Sequence, residues 1–409
     1  MNKRGIVLYL HVHQPWRVRE YSVFDTSHTH DYFSAADETD RNNKRVLEKV
    51  ADKSYRPMNA LLMKLLGTHP DFKLSLSITG TFIEQCEAWA PDVLEDFKRL
   101  VATGRVEIVA ETYYHSLAFF YSREEFERQV ELHRQKIQEV FGVTPTALRN
   151  TELAYNDELA NWADSKGYKA ILAEGWDPIL GDRSPNHVYR PSNTESLRLL
   201  LKNYRLSDDI AFRFGNRDWQ DWPLSAETYA HWLDSSNEQG PLINLFMDYE
   251  TFGEHQWADT GIFDFFESLV SKWLERQNST FYTVTEASVS FEPGDEISMP
   301  DTVTWADTER DLTAWLGNGM QHEAMRYLYH MEDDVMRSGD IGLISDWRRL
   351  QTSDHAYYMC TKWFRDGDVH AYFSPYDSPY DAFLYYMNAI RDMRYRLMAY
   401  HNIGGGHHG

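Results

Sequence analysis

The sequence predicts an α/β fold in which parallel strands alternate with helices over residues 1–290, followed by a helical region. Three observations predict it. Short β-branched runs recur between longer amphipathic segments, glycines sit where helices must stop, and beyond residue 300 the strand signal fades. The first run, over 6–12, is apolar on both faces, the mark of a strand buried in a parallel sheet. Further runs lie over 73–78, 106–110, 147–149, 170–173, 197–201 and 242–248. Between them, Ser122-Arg-Glu-Glu125 has the spacing of a capping box, in which hydroxyl and carboxylate satisfy each other's free amides. Gly104, Gly142 and Gly167 fall where a helix needs a left-handed residue to end. Repetition of strand, helix, strand implies parallel pairing through right-handed crossovers. Seven strands suit a closed or nearly closed barrel, or a doubly wound open sheet; periodicity does not choose between them. Past Pro300, residues 308–315, 320–336, 341–353 and 379–400 read as helices. The expected division is an α/β domain over 1–290, a linker over 291–300, a helical domain over 301–403 and a tail over 404–409.

Composition narrows the function. The 409 residues hold 41 Lys and Arg against 63 Asp and Glu, a net charge of −22. Such a surface repels phosphates, so a nucleic-acid partner is not expected. Hydrophobic residues at 42% and charged residues at 25% supply an ordinary globular core. Cys86 and Cys360 are the only cysteines, which leaves no disulfide framework and no cysteine-rich metal site. The apolar run after Gly5 stops at His11, too short for a signal peptide, and no stretch reaches the roughly 20 apolar residues of a membrane span. A soluble, cytoplasmic protein is expected, with no membrane partner; its oligomeric state does not follow from the sequence. Aromatic residues reach 14%, more than a core alone usually uses.

In a parallel α/β fold a ligand meets the carboxyl ends of the strands, where the loops converge. After the first strand come His11-Val-His13-Gln-Pro15-Trp16. Residues two apart in an extended chain share a side, so His11 and His13 face the same way. They could ligate zinc or donate hydrogen bonds to sugar hydroxyls or a carboxylate. After the fourth strand, Glu152 precedes a helix beginning near Asn156; it is a catalytic candidate or a partner of the helix dipole. After the seventh, Asp248, Glu250, Glu254 and His255 follow a strongly apolar run. Burial there, with negative charge nearby, is expected to raise a carboxyl pKa as a general acid requires. Carboxylates at two strand ends suit glycoside hydrolysis, in which one donates a proton while the other attacks or activates water. Trp16, Trp176, Trp219, Trp222, Trp257, Trp305 and Trp315 are candidates for stacking on sugar faces.

These segments resemble a known family. His11-Val-His-Gln-Pro15, Gly104-Arg-Val-Glu-Ile-Val-Ala-Glu111, Asn150-Thr-Glu-Leu-Ala-Tyr155 and Phe246-Met-Asp-Tyr-Glu-Thr-Phe-Gly-Glu-His255 resemble, in order, the first four sequence regions of glycoside hydrolase family 57. Thr304-Trp-Ala-Asp-Thr-Glu-Arg-Asp-Leu-Thr-Ala-Trp-Leu-Gly-Asn318 resembles the fifth, and Thr352-Ser-Asp-His-Ala-Tyr-Tyr-Met359 the helical part of the α-amylase-like branch. The resemblance implies a (β/α)7 barrel followed by a helical domain that contributes to the cleft. It implies action on an α-glucan or maltooligosaccharide, at α-1,4 linkages, with retention of configuration and without cofactor or metal. Carried over by position, Glu152 is the nucleophile and Asp248 the general acid/base. His11, His13, Glu84, Arg213, Trp305 and Asp354 are expected to line subsites, with Glu111 and His115 as further candidates. The chain lacks the long C-terminal β domain of the family's glucanotransferases, so an α-amylase-like hydrolase is the first expectation. A branching enzyme is the nearest rival, followed by a 4-α-glucanotransferase. Outside the family, His11, His13, His28, His30 and Asp25 would suit a metal-dependent polysaccharide deacetylase, and the aromatic residues a non-catalytic glucan binder.

Overall fold

The structure is a computed structural model that describes residues 3–33, 42–362 and 374–404. The expected tail lies outside the described residues from position 405 onward. Contacts group the chain into two compact units. One comprises Met1–His13, Leu47–Glu111 and Val130–Trp305, the other Gln14–Val46, Thr112–Gln129 and Ala306–Gly409. Two insertions from the amino-terminal part thus join the helical region, a grouping no single cut of the chain reproduces.

The first unit is a curled parallel sheet. All seven expected strands form: β1 (Arg4–Val12), β2 (Leu74–Ile78), β3 (Val106–Ile108), β4 (Ala147–Leu148), β5 (Ala170–Glu174), β7 (Arg198–Lys202) and β8 (Leu242–Asp248). Three short strands were not expected: β6 (Val188–Pro191), β9 (Ser279–Tyr282) and β10 (Glu296–Ile297). Apolar side chains on both faces of β1 put parallel neighbours along both of its edges. It pairs with β8 on one side, and on the other with β9 along its first half and β2 along its second. β2 pairs with β3, and β4 with β5 and then β7, all parallel. The two runs meet where Ala110 N donates to Ala147 O and Arg149 N to Ala110 O, each at 2.8 Å. Between β7 and β8, Asn203 N reaches Asn244 O at 2.9 Å, while the Asn244 side chain donates to Leu201 O at 2.9 Å. The circuit β1–β2–β3–β4–β5–β7–β8 is a distorted (β/α)7 barrel. Gly104, Gly142 and Gly167 end helices at φ of 72°, 72° and 82°, as their positions required.

Strand alternation gives the barrel interior its layers. Val7, Tyr9, Ala147, Ala170, Leu172, Leu200, Leu242 and Phe246 form one buried cluster. Two residues further along each strand, toward its carboxyl end, the same inward series turns polar: His11, Arg149, Glu174, Lys202 and Asp248.

The second unit is helical, and here expectation needs correction. Residues 308–312 are not helical; the helix is only Thr313–Leu316, after left-handed Asp307 and Arg310. The segment 320–336 divides at Met331 into Gly319–His330 and Glu332–Ser338. The linker segment 291–300 contains β10, which pairs with β6 in the first unit. Ser122 caps its helix by accepting from Glu125 N at 3.1 Å, but the Glu125 carboxylate accepts from Arg348 Nε at 2.8 Å. A buried carboxylate gains more from a guanidinium than from a neutral amide, so the capping box is half made. Among the described residues no helix is long and apolar enough to cross a membrane.

Candidate active site

The register of β1 against β8 sets His11 beside Asp248, the last residue of its strand. His11 Nδ1 lies 3.5 Å from Asp248 Oδ1, and His11 Nε2 lies 3.2 Å from Glu111 Oε2 and 3.3 Å from an Arg149 nitrogen. One ring nitrogen thus faces a guanidinium, an unfavourable neighbour for a metal ion. His13 stacks on His11 with ring centroids 5.7 Å apart, as two-residue alternation demands. Its Nδ1 is 3.0 Å from Thr79 Oγ1, and Thr79 caps the helix Gly80–Trp89 that carries Glu84.

Arg149 is fully buried. Burial opposes its charge, but the neighbouring Tyr9, Glu111, Glu152 and Asp248 more than compensate, and the guanidinium is held cationic. Both Glu152 and Asp248 therefore act on the same cation. Glu111 has no exposed surface and lies against His11 and Arg149.

Glu152 sits in a single turn, Thr151–Leu153, at φ 60°, ψ 26°, a left-handed conformation that costs energy for any residue but glycine. It does not serve the following helix, Asp157–Ser165, whose cap is Asn156 accepting from Leu159 N at 2.9 Å. The Glu152 carboxylate instead accepts from Trp305 Nε1 at 2.9 Å, and Trp305 N donates to the Glu152 carbonyl at 3.2 Å. The Trp305 ring lies under two cations, Arg149 at 5.2 Å and Lys202 at 5.5 Å from its centroid. Lys202 follows from the β5–β7 register, which sets it beside Glu174; their charges are 3.8 Å apart, with Asp208 at 3.0 Å.

The two carboxylates after β8 reverse the expected electrostatics. Asp248 keeps 38% of its side chain exposed. Enclosure by protein pushes its pKa up, but the bond to His11 and the charges of His11, His255 and Arg149 outweigh that, leaving it below the ordinary value. Glu250 is the group raised, to about 8, by burial and by the charge of Asp248, despite bonds from the Tyr55 hydroxyl and the His13 amide.

Arg213 lines a separate cavity and bonds to Asp209 at 2.7 Å. Asp354 and His115 belong to the second unit, as do His28, His30 and Asp25. There His30 is 2.8 Å from Asp392, and Asp25 accepts from the Ser22 amide and hydroxyl. Trp315 and Trp16 are buried, whereas Trp222 and Trp257 are exposed. Sequence reasoning passed over Arg149, Glu174 and Lys202. The signal was available: a charge two residues beyond an inward apolar position at a strand end.

Residues 7–300 match the family model described as glycosyl hydrolase family 57. A Methanocaldococcus jannaschii protein named "Putative alpha-amylase" is 43% identical over 366 residues, 87% of this chain and 77% of that protein. An alpha-amylase of Pyrococcus abyssi is 25% identical over 209 residues, 51% of this chain but 30% of its own length. The crystal structure of a branching enzyme from Thermococcus kodakaraensis superposes with a TM-score of 0.70 at 12% identity, covering 99% of this chain and 92% of that one. That of an alpha-amylase from Thermotoga maritima gives 0.63 at 14%, covering 99% and 94%.

Proposed function

The chain belongs to glycosyl hydrolase family 57, and on that premise we propose that it is a retaining, α-amylase-like hydrolase of α-1,4-glucans, with Glu152 as nucleophile and Asp248 as general acid/base. The observation that carries the reading is the shared Arg149–His11–Trp305 cluster, which both carboxylates touch from different strand ends. Glu152, its carboxylate fixed by the indole N–H, attacks the anomeric carbon as the glycosidic C–O bond breaks. Asp248 donates a proton to the departing oxygen, then takes one from the water that releases the sugar from Glu152.

Asp248 must be protonated for the first step. Substrate covering its exposed edge strips away water and pushes its pKa up, while Glu250, protonated near neutral pH, adds no second charge. His11, fixed by Glu111, orients Asp248, and His13 extends the polar mouth toward the sugar.

Incubation with maltoheptaose and with amylose, followed by product analysis, tests the function. Shorter maltooligosaccharides alone are expected, and none from Glu152→Ala unless azide is added to replace the missing nucleophile. Longer products would identify a 4-α-glucanotransferase and new α-1,6 linkages a branching enzyme. Binding with no release of reducing ends would leave a non-catalytic glucan binder.

A further inference from the structure

A cavity of about 1360 Å³ in the first unit has a lining that includes none of the residues of the catalytic cluster. Gly175, just after β5, and Asn203, just after β7, contribute to it, so it opens from the same strand ends that carry Glu174 and Lys202. Two tryptophans line it, Trp219 and Trp232, with ring centroids 6.1 Å apart in an edge-on arrangement. Both are half-buried.

The three arginines that line the cavity are each paired with an aspartate, and Asp182 and Asp221 add further negative charge. Arg205 bonds to Asp177 at 2.8 Å, Arg213 to Asp209 at 2.7 Å and Arg183 to Asp295 at 3.3 Å. The Tyr204 hydroxyl donates to the same Asp177 oxygen at 2.9 Å. This wall holds no surplus positive charge to draw a phosphate. It offers fixed acceptors and fixed donors side by side, next to aromatic surface. A neutral polyhydroxyl ligand matches that pattern: each hydroxyl both gives and accepts a hydrogen bond, and the C–H face of each ring rests on an aromatic side chain.

We infer that this cavity binds a segment of α-1,4-glucan as a second site, holding polymer while the catalytic cleft works on another part of the chain. The inference rests on the hydrolase reading for the identity of the sugar. Binding to the cavity separates from action at the catalytic cluster, because the cavity lining includes none of the cluster's residues.

The test compares Trp232→Ala and Arg205→Ala with the unsubstituted protein, by affinity electrophoresis in amylose-containing gels and by turnover of maltotriose. Both variants are expected to bind amylose about tenfold more weakly, the order of one lost stacking or charged contact, with maltotriose turnover unchanged. Unchanged amylose retardation in both variants overturns the proposal. Arg205 is 72% exposed, so its variant decides the matter alone if Trp232→Ala also lowers the melting temperature. Displacement of amylose by dextran sulfate more readily than by maltodextrin would also overturn it, since an anion site was then the true character of the wall. Failure of the unsubstituted protein to act on maltoheptaose refutes the hydrolase reading instead. Amylose retardation of a Glu152→Gln protein, lost in the cavity variants, would still stand apart from that failure.

Discussion

Trp305 meets Glu152 twice, through its indole N–H and through its backbone amide. The first contact is a hydrogen bond to a charged group, which contributes about 1.5–3 kcal/mol where it is shielded from water. If it holds the nucleophile for attack, Trp305→Phe keeps an aromatic face, in a smaller ring, and loses the donor. A fall in kcat of roughly 10- to 100-fold with little change in KM is then expected. Steady-state kinetics on maltoheptaose check this, and a KM effect with unchanged kcat would make Trp305 a sugar platform alone. The resemblance put Trp305 near the substrate, yet the bond depends on a left-handed turn at Glu152 that nothing in Asn150-Thr-Glu-Leu announces. Glu250 shows the opposite case. Strand-end burial raises a carboxyl pKa as expected, but the one raised is two residues past Asp248, because His11 and Arg149 face Asp248 and not its neighbour.

At the scale of elements, the strands were readable because burial on both faces leaves an unbroken apolar signature. The short strands β6, β9 and β10 were not: exposed Arg190 and Glu296 interrupt β6 and β10, and β9 opens on Ser279 and Thr280, so none shows an unbroken apolar run. Glycines mark where elements must come close. Gly253, in the loop after β8, has φ 109°, and a Cβ there would lie 1.9 Å from the Lys53 carbonyl oxygen. Neither a rotamer change nor a small shift relieves a clash with backbone. Gly253→Ala is expected to destabilise the protein by about 2 kcal/mol or more, read as a lowered midpoint in urea unfolding. An unchanged midpoint would mean the loop does not pack against residues 53–54 in solution.

For the whole molecule, stability follows the protons it binds. Glu250 is raised in the folded state to about 8, so between its unfolded value and pH 8 the native protein holds a proton that the unfolded chain has released. The sign is fixed: stability is full below the unfolded pKa and falls as pH rises toward about 8. Glu250→Gln removes this loss, so melting curves of the variant are expected to depend less on pH between 5 and 8 than those of the unsubstituted protein. Equal slopes would show that Glu250 is ionised in the fold. The net charge of −22 adds a general repulsion that also grows with pH, and it is common to both proteins.

The sequence alone determined the seven parallel strands, the helix stops at its left-handed glycines, and the strand ends from which Glu152 and Asp248 emerge. Each of these is written in local pattern, because periodicity of two or 3.6 residues decides which side of an element is buried. The tertiary structure decided what local pattern cannot carry: that insertions at 14–46 and 112–129 join the helical unit, that Arg149 and Lys202 share the face of Trp305, and that Glu250 rather than Asp248 keeps its proton. Those outcomes depend on which groups become neighbours across as many as 237 residues of chain, and a field set by distant partners leaves no trace in the residues beside it.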